Sequence, residues 1–269
     1  MDLGLDGKRA LVTGSSSGIG IGIAQALAAE GVAVVVHGRN AERAKAVAAR
    51  IAAAGGTSAV AVGSLSSDAS AADVATLALD AFGGIDILVN NAGGSAEIAD
   101  GSWFAAQTAD WLETYQANVL AAVRMVHHLV PGMKEGGWGR VINIGTGAAI
   151  TPTSGQPDYG PAKAAMLNMS LGLSKTLKRS GVTCNAVSPG MIRTEGLQRF
   201  LANFAAKRGW GDDLHKAEDY IVQGSGQTVA KVGEVEDIAF AVAMLASPRA
   251  DFINGINLHV DGGISPSLH

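Results

Sequence analysis

A chain of 269 residues is long enough for one large domain or two small ones, at about 100 to 200 residues per domain. Its formal net charge of -4 lacks the basic excess of a nucleic-acid footprint, while 16% charged residues, 48% hydrophobics and 36 glycines describe a buried, loop-economical, enzyme-like domain. A single cysteine, Cys184, excludes an internal disulfide, and a chain with neither a basic-then-apolar leader nor about 18 consecutive apolar residues is expected to be soluble, cytoplasmic and without a membrane partner.

Short Val- and Ile-rich runs alternate with Ala-rich stretches along the chain. The first run, ALVT near residue 12, leads directly into Thr13, Gly14, Ser15, Ser16, Ser17, Gly18, Ile19 and Gly20, which open a helix over 19–30. Gly14 permits a tight turn, and Gly18 and Gly20 clear side chains so that backbone and helix N-terminus can approach a pyrophosphate. The loop points to a dinucleotide because it stands between a strand and a helix, the alternative being a glycine turn without a ligand.

A second run, VAVVV at 32–36, ends in His37, Gly38 and Arg39. A carboxylate there would bond a ribose 2'-hydroxyl, whereas Arg39 offers the planar charged fork suited to a 2'-phosphate, so NADP(H) is favoured over NAD(H). A solvated surface arginine is the bland alternative, and His37 offers a further donor on which nothing is built. Residues 40–54 follow as a helix with Asn40 at its N-cap and Gly55 and Gly56 at its stop. Further runs, AVAV at 59–62, IDILV at 85–89, RVINI at 140–144, VTCNAVS at 182–188 and INLHV at 256–260, complete seven strands. Strand alternating with helix implies an α/β fold, one doubly wound parallel sheet flanked by helices.

With no repeat, charge block or Pro-rich linker, residues 1–269 read as one domain. Only about 191–232 breaks the rhythm, a polar and aromatic stretch carrying Phe200, Phe204, Trp210 and Tyr220. Such an insertion reads as a substrate loop or lid, the alternative being a helical crossover with packed aromatics. Tyr159 and Lys163 lie four apart in an otherwise helical segment and share one face. An ammonium beside a phenol stabilises the phenolate and lowers the tyrosine pKa, which makes a proton donor and acceptor.

Together TGSSSGIG at 13–20, NNAG at 90–93, Asn118, YGPAK at 159–163, SPG at 188–190 and HVDGG at 259–263 resemble the short-chain dehydrogenase/reductase family over essentially the whole chain. The overall set is most similar to its 3-oxoacyl-[acyl-carrier-protein] reductases. The resemblance implies a single Rossmann-type domain, a nicotinamide cofactor, hydride transfer at a carbonyl carbon and a homotetramer or dimer. Tyr159 then serves as proton donor, Lys163 holds the nicotinamide ribose, and Asn118 anchors a water that relays protons to Lys163. Asn90, Asn91, Ala92 and Gly93 support the sheet and line the cofactor, while Pro189, Gly190, Ile192 and Thr194 flank the nicotinamide.

Two positions depart from the family pattern. Thr146 stands thirteen residues before Tyr159 where a serine is usual, and keeps the hydroxyl if its rotamer points inward, with Thr153 or Ser154 as the nearest substitute. Ser64 stands where an aspartate usually meets the adenine amino group, leaving that contact to backbone and Leu65. Trp103, Phe104, Gln156 and Met191 are candidates for shaping the substrate pocket. His127 and His128 are adjacent and cannot face one site on a helix, so no metal is expected, and no nucleophile elbow is present. The expected activity is NADP(H)-dependent reduction of a mid-sized ketone, or oxidation of a secondary alcohol, with Tyr159 as general acid/base and Thr146, Gln156, Tyr159 and Met191 facing substrate. The alternatives are an NAD-dependent secondary alcohol dehydrogenase and a non-catalytic nucleotide-binding scaffold or sensor.

Overall fold

Strands apolar on both faces need cover on both faces, and the chain supplies it with alternating helices. The computed structural model describes residues 2–98, 102–152 and 155–266. The strands are β1 (Arg9–Val12), β2 (Ala33–Gly38), β3 (Ser58–Val62), β4 (Ile87–Asn90), β5 (Gly139–Ile144), β6 (Val182–Pro189) and β7 (Asn257–Val260). All pair in parallel in the order β3-β2-β1-β4-β5-β6-β7, the expected doubly wound sheet. The order reverses between β1 and β4, where such sheets open a crevice at their carboxyl edge.

The helices among the described residues are α1 (Ile19–Ala29), α2 (Ala41–Ala53), α3 (Asp68–Phe82), α4 (Thr108–Tyr115), α5 (Ala121–Glu135), α6 (Tyr159–Thr176), α7 (Glu195–Lys207), α8 (Leu214–Gly224) and α9 (Val235–Ala246). Asn40 caps α2 as expected, accepting from the Arg43 amide at 3.0 Å. One core packs α1, α2 and α9 on one face of the sheet, and a second packs α3, α5 and α6 on the other. Cys184 is buried in the second core, where desolvation pushes its thiol up to about 12. No described helix is long and apolar enough to cross a membrane.

The segment that breaks the strand–helix rhythm folds into α7 and α8, which share a small core of their own. Leu201, Ala205 and Ala217 are buried there beneath Leu197, Phe204, Trp210, Leu214 and Ile221. The guanidinium of Arg208 lies 4.4 Å from the Tyr220 ring centroid and 5.0 Å from that of Phe204. Arg193 anchors this unit to the body, with a bidentate pair to Glu218 on α8 at 2.8 Å and a bond to Glu234, before α9, at 3.0 Å. Separate cores open separately. Leu201→Ala, which deletes a buried side chain from the smaller core, is therefore expected to speed amide exchange in α7 and α8 at least tenfold while exchange in β1, β4 and β5 keeps its native rate, as read by hydrogen–deuterium exchange.

Candidate active site

The glycine loop sits in the crevice between β1 and β4, and its conformation is dictated from both sides. Gly14 and Gly18 adopt φ of 66° and 56°, which L side chains rarely adopt. A Cβ on Gly20 would stand 2.6 Å from Asn91 Nδ2 and from the Gly14 carbonyl oxygen, so only glycine fits. No side chain caps α1, which leaves its first amides directed at the loop. A bare helix N-terminus over a glycine cradle at the sheet's switch point fits the pyrophosphate of a dinucleotide.

Three side chains within the two motifs, Thr13, Ser15 and Asn91, hold the loop from behind. Thr13 Oγ1 accepts from the amides of Asn91 and Ala92, each at 3.0 Å, while Asn91 Nδ2 donates to the Thr13 and Gly14 carbonyls at 2.9 and 3.2 Å. Asn91 thus braces the loop from below. Ser15 Oγ donates to the Val12 carbonyl at 2.7 Å and accepts the His37 amide at 3.0 Å. His37 is not a phosphate donor: its ring turns inward, and Nδ1 accepts the Gly14 amide at 3.0 Å. That bond requires a neutral ring, and burial depresses its pKa to about 4.

Arg39 and Ser16 stand on the β2 side of the loop. Ser16 packs against Gly38, where a Cβ would collide with its side chain, and Arg39 follows at the exposed end of the strand. Among the described residues Arg39 forms no hydrogen bond or ion pair. Ser17 is exposed. Ser64 donates to Ser66 Oγ at 2.9 Å, and Leu65 is buried beside it with its carbonyl held by Arg124 at 3.0 Å.

On the other side of the crevice the structure brings Asn118, Lys163 and Gly93 together. Asn118 lies in a π-helical turn, Gln116–Leu120, between α4 and α5. Its side chain is saturated: Nδ2 donates to the Gly94 and Thr114 carbonyls at 2.6 and 2.7 Å, and Oδ1 accepts the Gly94 amide at 3.2 Å. A Cβ on Gly93 would clash with Asn118 Oδ1 and stand 3.3 Å from Lys163 Nζ.

Lys163 is 2% exposed, donates to the Ile144 carbonyl at 2.8 Å and has its pKa pushed down to about 8 by desolvation. Its Nζ lies 5.8 Å from the Tyr159 ring centroid. The expected lowering of the tyrosine pKa is not what these residues produce. Desolvation by burial pushes the phenol up to about 12. Thr146 Oγ1 accepts the Ala148 amide at 3.3 Å, closing a short turn at Gly147–Ala149. The hydroxyl proton meets no acceptor among the described residues and can be donated. Thr153 and Ser154, the expected substitutes, lie outside the described residues.

The remaining expected residues divide between lining and support. Pro189 ends β6, and Gly190 lies so close to Asp261 that a Cβ would stand 2.7 Å from its Cα. Ile192 is buried in the first core, Met191 accepts the Gly233 amide at 2.9 Å, and Thr194 caps α7 with its methyl facing Gly18. Gln156 reaches Ser95 at 3.4 Å. Trp103 stacks edge-on against Trp111, and Phe104 stands in solvent.

Residues 14–265 match the family described as enoyl-(acyl carrier protein) reductase. The chain is 34% identical to the uncharacterized oxidoreductase YvrD of Bacillus subtilis over the whole of both chains. It is 34% identical to the 3-oxoacyl-[acyl-carrier-protein] reductase FabG of Aquifex aeolicus, over 98% of this chain and 100% of that one. Its fold superimposes with a TM-score of 0.94, at 29% identity and full coverage of both chains, on an L-sorbose reductase from Gluconobacter frateurii solved with NADPH and L-sorbose.

The His37 contact makes a pH prediction. The unfolded ring titrates near 6.5 and the folded one near 4, so between these values the unfolded chain binds a proton that the folded chain refuses. Stability from this group is complete above pH 6.5 and is lost as pH falls towards 4, by roughly 3 kcal/mol at about 1.4 kcal/mol per unit. Urea unfolding at pH 7 and pH 4.5 is expected to show this loss, and His37→Gln, which keeps an acceptor but does not titrate, to reduce it.

Proposed function

The chain belongs to the short-chain dehydrogenase/reductase family, enzymes that act on CH–OH groups with a nicotinamide acceptor, and from that premise we propose an NADP(H)-dependent reductase of ketones, running in reverse on secondary alcohols. The observation that carries this reading is the placement of Tyr159. It opens α6 at the carboxyl edge of the sheet with Lys163 Nζ 5.8 Å from its ring centroid, and that ammonium is fixed on the Ile144 carbonyl beside Gly93 and Asn118, which suits a phenol that gives a proton to a carbonyl oxygen.

The cofactor would be held by Gly14, Ser16, Ser17, Gly18, Ile19 and Gly20 at the pyrophosphate, and by Ser64, Leu65, Asn91, Ala92 and Gly93 along the crevice. Pro189, Gly190, Ile192 and Thr194 would hold its nicotinamide end, and Tyr159 and Lys163 the adjoining ribose. Arg39 would take the 2'-phosphate, since it is exposed beside Ser16 and no carboxylate stands at positions 37–39. When bound, the dihydronicotinamide supplies the hydride that reaches the carbonyl carbon. Thr146 would hold the substrate oxygen with a hydrogen bond from its hydroxyl, keeping its proton, and Tyr159 would transfer the single proton that this oxygen gains. Lys163, fixed on the Ile144 carbonyl and packed beside Asn118, returns a proton towards Tyr159.

The substrate proposed is a mid-sized, partly apolar ketone bounded by Gln156, Met191 and the α7–α8 unit, which acts as the lid. Relatives named for 3-oxoacyl thioesters and for a keto sugar share ketone reduction and nothing narrower. A cytoplasmic homotetramer or dimer is proposed, for which the exposed Phe240 on α9 and Phe252 ahead of β7 offer apolar surface.

Paired fluorescence titrations with NADPH and NADH are expected to show tighter NADPH binding, weakened at least tenfold by Arg39→Ala with NADH affinity unchanged. Equal loss for both cofactors, or none, would return the NAD-dependent alcohol dehydrogenase to first place. Tyr159→Phe is expected to lower turnover of a reduced ketone by about 100-fold or more while NADPH still binds. Retained turnover in that variant would overturn the proton-donor role, and binding of neither cofactor by the native protein would favour the scaffold reading.

A further inference from the structure

Asp158, the residue before Tyr159, occupies the N-cap position of α6 but does not cap it. An aspartate there ordinarily turns its carboxylate back onto its own helix's first amides. Here the side chain points away from α6, is 1% exposed, and accepts a hydrogen bond from the Thr114 hydroxyl on α4, 44 positions earlier. The other carboxylate oxygen is buried without a hydrogen-bond partner among the described residues. Among the described residues Thr114 is therefore the only side chain that satisfies this carboxylate.

Thr114 is itself 1% exposed and meets two further segments. Its hydroxyl oxygen accepts the Ala96 amide at 2.9 Å, and its carbonyl accepts Asn118 Nδ2 at 2.7 Å. The Thr114 hydroxyl gives its proton to Asp158, and that fixes the lone pair that receives the Ala96 amide. One residue thus ties together the loop after β4, the π-helical turn that carries Asn118, and the first turn of α6 that carries Tyr159. Thr114 meets the candidate site through Asn118, whose Nδ2 its carbonyl accepts, and Asp158 meets it through Tyr159, the next residue in the chain.

We propose that Thr114 and Asp158 are positioning residues that set Tyr159 in register with Asn118 and the segment after Gly93. The role rests on the reductase reading of Tyr159. It predicts coupling along the tie, because a rotor released at one end is released at the other.

The test uses the whole protein and two readouts. In amide hydrogen exchange resolved to Ala96, Thr114→Val is expected to speed exchange of that amide at least tenfold. Asp158→Ala is expected to speed it as well, although Asp158 makes no contact with Ala96, and Thr114→Ser to preserve it. In steady-state reduction of a probe ketone that the native protein turns over, beginning with ethyl acetoacetate, Thr114→Val and Asp158→Ala are each expected to lower kcat about tenfold. KM and NADPH affinity should change less than threefold, Thr114→Ser should stay within twofold of native, and the double variant should be no worse than the poorer single one. Native Ala96 exchange in Asp158→Ala, a Thr114→Ser variant as impaired as Thr114→Val, or losses that multiply in the double variant would overturn the proposal. If Tyr159→Phe retains turnover, the reductase reading fails on its own, and the Ala96 exchange still decides whether the tie exists.

Discussion

The site depends on one join, the side-by-side packing of the carboxyl ends of β1 and β4. These strands are neighbours in space but are separated in the chain by three helices and two strands, so nothing local holds their ends in register. Thr13 and Asn91 do it with their own polar atoms: the Thr13 hydroxyl takes two amides from the segment after β4, and the Asn91 amide takes two carbonyls from the glycine loop. Close approach leaves no space for a side chain on Gly14 or Gly20, and the same approach opens the N-terminus of α1 towards the crevice. The glycines and the asparagine are thus two halves of one packing requirement.

Polar side chains buried beside this join are linked to one another, which offsets part of the cost of burying them, with Asn90 Oδ1 left without a partner among the described residues. Asn90 donates to Asn143 at 2.8 Å, and Asn143 donates to Ser170 at 2.7 Å, which fastens β4, β5 and α6 to one another behind the candidate catalytic side chains. Lys163 spends one donor on the Ile144 carbonyl, and its ammonium is weakened by desolvation rather than by a neighbouring charge. Tyr159 is pushed the opposite way by the same cause, since burial disfavours a phenolate as much as an ammonium. Desolvation alone therefore draws the two groups towards a neutral pair.

The α7–α8 unit stands apart energetically. Its aromatic residues pack on one another and under Arg208, not on the sheet, and its attachment to the body is chiefly ionic through Arg193. A segment held by its own core can shift as a unit at lower cost than one woven into the main core, which is the behaviour that a lid requires.

Features set by neighbours in the chain were legible in the sequence. Runs of Val and Ile marked the strands, Asn40 marked a helix start, the glycine spacing marked a loop with no room for side chains, and four-residue spacing put Tyr159 and Lys163 on one face. Family resemblance added Asn118 and Thr146. Other features were decided only by tertiary contact: the inward turn of His37 onto Gly14, the tie from Thr114 to Asp158 across 44 positions, the saturation of the Asn118 side chain, and the upward direction of the Tyr159 pKa. Helical and strand periodicity, caps and glycine turns express backbone constraints that act within a few residues. Which buried polar atom meets which, and how much water each loses, depends on segments far apart in the chain, and no local pattern records it.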